Sequence, residues 1–295
     1  MRGAMPAWVP GDLLHVGAEA VATSGRWLDG DAVLKERRPR AYRHPSLDRR
    51  LSSMRSTAEA RILLRLASAR FGAHRFPTPV LLAMDTDAGW MIQSRMPGLP
   101  LFEALRTHTS ADEVVSSDAS SDESASGGIS DVEAVNDGAD DEASGPASTV
   151  PGDTAKWLQV MNDLGRLIRV LHTRSISHGD LTSHNVLWSE KSGLSLVDFG
   201  LGQLSPELEI CGLDLQVLAE CLQASHPNIS GAMQAILTGY SAEVCTDELE
   251  VTRNAEPHSP AAGQTASNRG GSTVHSAAAV IARFDEIRSR VRYHG

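Results

Sequence analysis

The chain has 295 residues, 41% hydrophobic and 22% charged, enough for one large domain or two small ones around a substantial core. Its formal net charge of −10 argues at first against a nucleic-acid partner, but residues 107–155 alone carry twelve Asp and Glu and no Lys or Arg. Without them, 25 acidic residues face 27 basic ones, so the remainder is near neutral and an RNA partner is not excluded.

Residues 1–12 read as a tail. Residues 13–106 mix short apolar runs with basic patches. Within them Asp31–Lys35 reads as a strand and Ser56–Ala67 as an amphipathic helix, with Ala60, Leu63, Leu64 and Ala67 at helical spacing. Met91–Gln93 reads as a second strand, leading to a Pro97-Gly98 turn. Residues 107–155 hold almost no large apolar groups and cannot offset their ordering entropy, so a disordered acidic insert is expected. Its Ser120-Ser121-Asp122-Glu123 has the pattern of an acid-directed phosphorylation site, although composition favours a solvated spacer.

Periodicity returns over 156–252. Trp157, Val160, Met161, Leu164, Leu167, Ile168 and Leu171 recur at spacings of three and four, the pattern of a helix with one buried face. Leu194–Val197 reads as a short buried strand, and Leu213–Leu222 and Ala232–Leu237 as further helices. Residues 253–275, rich in Ser, Ala, Gly, Asn and Pro, form a second loose stretch, and 276–295 a last helix with a basic end. The three cysteines lack CxxC spacing and read as reduced thiols. The N-terminus lacks an apolar signal core, and no apolar run approaches the roughly 18–20 residues of a membrane span. The expectation is a soluble protein without a membrane partner, in the cytoplasm and, given its size, the nucleus.

The sharpest signal is His-Gly-Asp-Leu-Thr-Ser-His-Asn over residues 178–185, followed by Asp-Phe-Gly at 198–200. Phosphoryl transfer needs a carboxylate to orient the attacking oxygen and ligands for magnesium on the phosphates. Asp180 with Asn185 five residues later has the catalytic-loop spacing of kinases, and Asp198 supplies the main metal carboxylate. Either motif alone is weak; together, after a strongly amphipathic helix, they specify a site for ATP and Mg2+. Lys35 ends a predicted strand, as the phosphate-anchoring lysine of kinases does, and Glu59 lies on the next helix. The glycine-rich loop is degraded to Val-Gly-Ala-Glu-Ala, where the backbone around Gly17, Ala18, Glu19 and Ala20 is the expected phosphate cap. A strand-rich part with one long helix, followed by a mostly helical part, predicts an α+β fold: a two-lobed kinase with the insert near the lobe junction.

With these residues in place, the chain resembles the PRPK family, the small atypical kinase/ATPase subunits of the KEOPS (EKC) complex. The resemblance rests on residues 17–20, Lys35, Tyr42-Arg43-His44-Pro45-Ser46-Leu47-Asp48, Arg55, Glu59-Ala60-Arg61, the two motifs above and Gly212-Leu213-Asp214-Leu215. The Tyr-Arg-His-Pro run is the most family-specific, and small-molecule phosphotransferases such as antibiotic kinases do not share it. The resemblance implies an ATP-dependent serine/threonine kinase/ATPase supporting threonylcarbamoyladenosine formation in tRNA. It further implies other KEOPS subunits and, through them, tRNA as partners, with acidic proteins as phosphorylation substrates. By the same resemblance Lys35 and Glu59 form the phosphate-anchoring ion pair, Asp180 accepts the proton, and Asn185 and Asp198 carry Mg2+. The alternatives are a kinase acting on acidic proteins outside tRNA modification and a pseudokinase scaffold; retention of Lys35, Asp180, Asn185 and Asp198 disfavours the scaffold.

The chain departs from the family at Gln93-Ser94-Arg95, where an acidic residue is usual, and in a basic tail (Ile287–Tyr293) that keeps alternating arginines but lacks a glycine. Gly179 replaces the arginine that many regulated kinases pair with an activation-loop phosphate, and no Ala-Pro-Glu follows Asp-Phe-Gly. Switching by activation-loop phosphorylation and broad peptide docking are therefore not expected. The basic run around Arg37, Arg38, Arg40, Arg43, Arg49 and Arg50 reads either as a solvated face or as a contact for RNA or a partner, and the resemblance favours the contact.

Overall fold

The computed structural model describes residues 8–17, 20–106, 152–243 and 274–292. Most of the expected acidic insert, its Ser120–Glu123 pattern, most of the second loose stretch, and Ala18 and Glu19 lie outside the described residues.

A five-stranded antiparallel sheet opens the fold, in the order β1 (Trp8–Val16), β2 (Ala20–Trp27), β3 (Gly30–Arg37), β7 (Trp90–Ser94), β6 (Leu81–Asp85). The sheet thus begins inside the segment expected as a tail. Trp8 and Val9 pair with Trp27 and Arg26, a register that the largely exposed β1 does not announce by hydrophobic alternation. Successive side chains of a strand point to opposite faces. One face of the sheet carries Ala32, Leu34 and Ile92, covered by Trp8, Trp27 and Trp90. The other carries Lys35, Arg37, Met91 and Gln93, with Lys35 opposite Met91 in register.

Helix α1 (Pro45–Leu66) packs against that second face, and it begins well before the predicted Ser56. Polar residues fill its first turns, so hydrophobic spacing hides them, but capping chemistry accounts for the start. His44 is the N-cap, its ring nitrogen accepting from the Ser46 amide, and Pro45 occupies the first turn where no N–H is needed. Asp48, also in the first turn, accepts from the Arg40 amide at 3.2 Å and pairs with Arg43 at 3.6 Å. The family-specific Tyr42–Asp48 run is thus the start signal of α1. Two short strands follow, β4 (Arg70–Phe71) and β5 (His74–Arg75), which pair as a hairpin.

Beyond β7 the chain turns at Gly98 (φ +103°), where a Cβ would run into the Trp188 carbonyl. It then forms β8 (Leu99–Pro100) and a helix over 101–106 (α2). The second lobe holds α3 (Gly152–Thr173), β9 (Ile176–Ser177), β10 (Val186–Ser189), β11 (Gly193–Leu196), β12 (Gln203–Leu204), α4 (Leu208–Ser225), α5 (Ala232–Ser241) and α6 (Ala277–Arg292). Helix α3 takes over the last residues assigned to the insert, because Gly152–Ala155 continue its first turn. Six of its seven periodic apolar residues are buried, with Val160 packed alongside the core. α4 also starts earlier than predicted. α6 buries Val280, Phe284 and Ile287 against it, and Arg283 and, from the expected basic tail, Arg290 reach Glu209 at 2.6 and 3.8 Å.

α3 and α5 cross with backbones nearly touching. A Cβ at Gly165 would run into the Ile236 carbonyl, and one at Gly239 into that of Asn162. Neither carbonyl belongs to a flexible side chain, so the helices must separate to admit a methyl group. Gly165→Ala is therefore expected to cost about 2 kcal/mol, within the usual range for overpacking. The check is a lower denaturant midpoint at unchanged m-value.

Candidate active site

A cleft of about 600 Å³ lies between the lobes. Lys35, Gly17 and Ala20 from the sheet side and Asp180, Asn185 and Asp198 from the helical lobe all line it. Of the residues singled out from sequence, Glu59 stands behind Lys35 rather than on the wall.

Lys35 Nζ is the hub. It donates to both carboxylate oxygens of Glu59 at 2.9 Å and to Asp198 Oδ1 at 2.6 Å. Glu59 is 1% exposed, whereas the Asp198 side chain is 45% exposed toward the cleft. Burial alone would lower the lysine pKa, but Glu59 and Asp198 beside it more than reverse this and hold it above the ordinary range. Burial alone would raise the Asp198 carboxyl; the Lys35 ammonium and the Gly200 amide instead hold it at about 2, so it is ionised at neutral pH.

Asp198 has φ +63°, a left-handed conformation that a non-glycine residue adopts at a cost. Phe199 behind it is fully buried against the His178 ring, with centroids 4.8 Å apart, and this packing turns Asp198 toward the cleft. The bonds from Lys35 and Gly200 both fall on Oδ1.

Asp180 and Asn185 form the opposite wall. Asn185 Nδ2 donates to the Asp180 carbonyl at 2.8 Å and to its Oδ2 at 3.0 Å, which orients the carboxylate and leaves the Asn185 amide oxygen to accept other partners. The Asp198, Asn185 and Asp180 oxygens are hard donors that suit Mg2+, which uses one or two carboxylates and completes its shell with water and phosphate. Among the described residues no three His, Cys, Asp or Glu side chains cluster as a metal cage.

The catalytic loop hangs on a second buried carboxylate. Asp214 of α4, 2% exposed, accepts from the His178 amide at 2.7 Å, the Gly179 amide at 2.8 Å and His172 Nε2 at 3.1 Å. His172 Nδ1 in turn meets the Tyr240 hydroxyl at 2.8 Å. Burial would raise the Asp214 carboxyl, but hydrogen bonding and charge from His172 and His178 bring it below the usual carboxylate range. Gly179 sits at φ +79°, and a Cβ there would strike the Leu201 carbonyl. No arginine fits beside Asp180 in this loop.

At the roof, the Gly17 amide donates to the Ala20 carbonyl and closes the β1–β2 hairpin. That amide is therefore committed within the turn, unlike the phosphate cap expected of it. Ala18 and Glu19 lie outside the described residues. Sequence reasoning also missed Thr182, His184, Arg37 and Arg55 on the cleft wall. The signal for the arginines was available: Arg37 is two residues from Lys35 on a strand and Arg55 four from Glu59 on a helix, so each shares its neighbour's face. The Arg37 side chain is only 8% exposed and pairs with Glu59 at 3.4 Å, so it is not part of a solvated basic rim.

Sheet, helix, lysine–glutamate pair and carboxylate loop together define a protein of the kinase-like phosphotransferase class. Comparison with known proteins agrees. The lipopolysaccharide kinase (Kdo/WaaP) family pattern matches residues 137–207, the span holding both carboxylate motifs. The chain is similar to the EKC/KEOPS complex subunit BUD32 of Chaetomium globosum, 27% identical over 80% of this chain and 83% of the relative. It is also similar to the EKC/KEOPS complex subunit Tp53rkb of Mus musculus, 27% identical over 78% of each. A probable bifunctional tRNA threonylcarbamoyladenosine biosynthesis protein of Methanothermobacter thermautotrophicus is 28% identical over 84% of this chain, which spans only 36% of that longer relative. The resemblance to the KEOPS kinase-subunit family thus extends over about four-fifths of the chain.

Asp214→Asn leaves one loop amide facing a donor in place of a carboxylate oxygen. The expected loss is about 2–3 kcal/mol at neutral pH, the range for hydrogen bonds to a charged group. Because the folded pKa of Asp214 lies below the unfolded value of about 3.9, its stabilisation is complete above that value and disappears as pH falls through the folded one. Denaturation of both proteins across pH should therefore show a constant gap near neutrality that narrows below about pH 4.

Proposed function

We propose that this protein is an ATP-dependent atypical kinase/ATPase acting as a KEOPS-type subunit in support of threonylcarbamoyladenosine modification of tRNA. The observation that carries the ATP reading is Lys35 held between Glu59 and Asp198 across the cleft from the Asp180–Asn185 pair. The assembly comes from the names of relatives that align over most of both chains, and the tRNA modification from the name of a longer relative of which this chain spans 36%. On this reading other KEOPS subunits are the partners, tRNA is engaged through them, and the protein works in the cytoplasm and nucleus.

Lys35, kept charged by its two carboxylates, binds phosphate oxygens of ATP. Asp198 and Asn185 would hold Mg2+, which would neutralise charge on the phosphates. Asp180, oriented by Asn185, positions the attacking oxygen and accepts its proton. The acceptor platform is small: α4 begins at Leu208, only a short segment after Gly200, and β12 ties that segment to β9. This favours attack by water, or by an acceptor delivered by a partner, over ordinary peptide docking. Serine/threonine transfer to acidic proteins is the second reading. Its candidate surface is the 440 Å³ depression beside α1, where Arg49 and Arg50 stand among the lining residues together with Asp48 and Asp87.

γ-Labelled ATP with Mg2+, in the presence of tRNA, partner subunits or casein, tests both readings. Free phosphate release stimulated by tRNA or partners, and reduced about 100-fold or more in Asp198→Ala, is the expected result. Label moving mainly to protein instead supports the second reading. Activity retained in Asp198→Ala would sink both.

A further inference from the structure

We infer that Arg37 and Gln93 are positioning residues that hold Glu59, and with it α1, in the phosphate-anchoring arrangement independently of Lys35 and of any activating event. The catalytic consequence rests on the ATP reading above; the positional claim does not.

The Glu59 carboxylate is saturated. Oε1 accepts from Lys35 Nζ at 2.9 Å and from Gln93 Nε2 at 3.0 Å; Oε2 accepts from Lys35 Nζ at 2.9 Å and from an Arg37 terminal nitrogen at 3.4 Å. Arg37 Nε also donates to Ser56 Oγ at 3.1 Å. Ser56 precedes Glu59 by about one turn, so one guanidinium ties two turns of α1 to β3. Gln93 reaches the same carboxylate from β7 and is 6% exposed. All three donors project from one face of the sheet, two from β3 and one from the neighbouring strand in register.

A lysine that must also serve phosphate is a poor sole partner for a buried carboxylate. If Lys35 alone held Glu59, its movement toward a nucleotide would leave a nearly inaccessible charge short of donors, and α1 would swing outward to hydrate it. Arg37 and Gln93 leave one donor on each carboxylate oxygen whatever Lys35 does. The residue type at 93 follows from this: an acidic side chain there would set a second carboxylate about 3 Å from Glu59, the distance at which like charges cannot both ionise. The amide supplies a donor instead. Gly179, which admits no phosphate-reading arginine, fits a site whose helix is already in place.

Two measurements on the full chain decide the matter. Amide hydrogen exchange without nucleotide reads α1 directly. Residues 55–63 should remain as protected in Lys35→Met as in the native protein. They should exchange about tenfold faster in the Arg37→Met/Gln93→Leu double variant. Loss of protection in Lys35→Met, or none in the double variant, overturns the inference. If the double variant does not fold, each single substitution carries the same comparison. Steady-state turnover of MgATP reads the consequence. Arg37→Met and Gln93→Leu should each lower kcat/KM by about threefold to tenfold, with Arg37→Lys recovering part of the loss, and neither should lower it further in a Glu59→Gln background. Equal losses in both backgrounds mean that the two residues act elsewhere, which also overturns it. A native protein that neither binds nor turns over MgATP refutes the ATP reading, while the exchange pattern still decides whether the clamp exists.

Discussion

A carboxylate that is 1% exposed, as Glu59 is, persists in a folded chain only if cations and donors surround it. Glu59 gathers its partners from two strands, and through Lys35 it is linked to Asp198 of the other lobe. Helix, sheet and the Asp-Phe-Gly turn are therefore placed relative to one charge cluster. Such a cluster adds little net stability over a hydrophobic replacement, but removing one member is costly because another is left buried and unpaired. Its effect is to select geometry: arrangements of α1 that withdraw Glu59 from the sheet, or of the second lobe that withdraw Asp198 from Lys35, lose partners that water does not replace in the interior.

The second lobe repeats the device with the opposite aim. Asp214 fixes no cation; it collects two backbone amides of the 178–180 loop and the His172 ring, and so aims the Asp180 carboxylate into the cleft. His178 completes the bracing from the other side, its Nε2 donating to the Val197 carbonyl at 3.0 Å. Burial lowers the His178 pKa against the opposing pull of Asp214, Asp198 and Asp180. One buried carboxylate thus positions an ammonium and the other positions a carboxylate. The cleft receives both without burying either reactive group completely.

Much of this was legible in the chain because the reactive groups sit in contiguous motifs. Spacing alone placed Asp180, Asn185 and Asp198 in one site, and the strand-then-helix order placed Lys35 and Glu59 opposite them. What stayed hidden depended on register or on capping. The role of Gln93 requires knowing that β7 lies beside β3 with Met91 opposite Lys35, which no local pattern states. The first turns of α1 are polar and escape a hydrophobic-period reading, while His44, Pro45 and Asp48 mark the helix start by chemistry. β1, exposed on nearly every residue, has no alternation to read at all. Whether the Gly17 amide faces a ligand or closes a hairpin likewise depends on the pairing of its flanking strands, and it donates to the Ala20 carbonyl.

The charge cluster also bears on how a nucleotide would enter. At rest Lys35 spends one bond on Asp198 Oδ1, and Asp198 is ionised and half exposed. On the ATP reading, Lys35 would turn from that oxygen to phosphate oxygens, and Asp198 would hold the metal in place of the ammonium. Each group keeps an oppositely charged partner throughout, so neither crosses a state in which its charge is buried and unmatched. The exchange needs no large movement of backbone, provided that Glu59 stays where it is. Asp198 is already turned inward over a buried Phe199, and Asp180 is already oriented by Asn185. The element free to vary is the acceptor, for which the short segment between Gly200 and Leu208 builds little surface of its own. A site with its charges preset and its acceptor side left open is suited to act on what a partner presents.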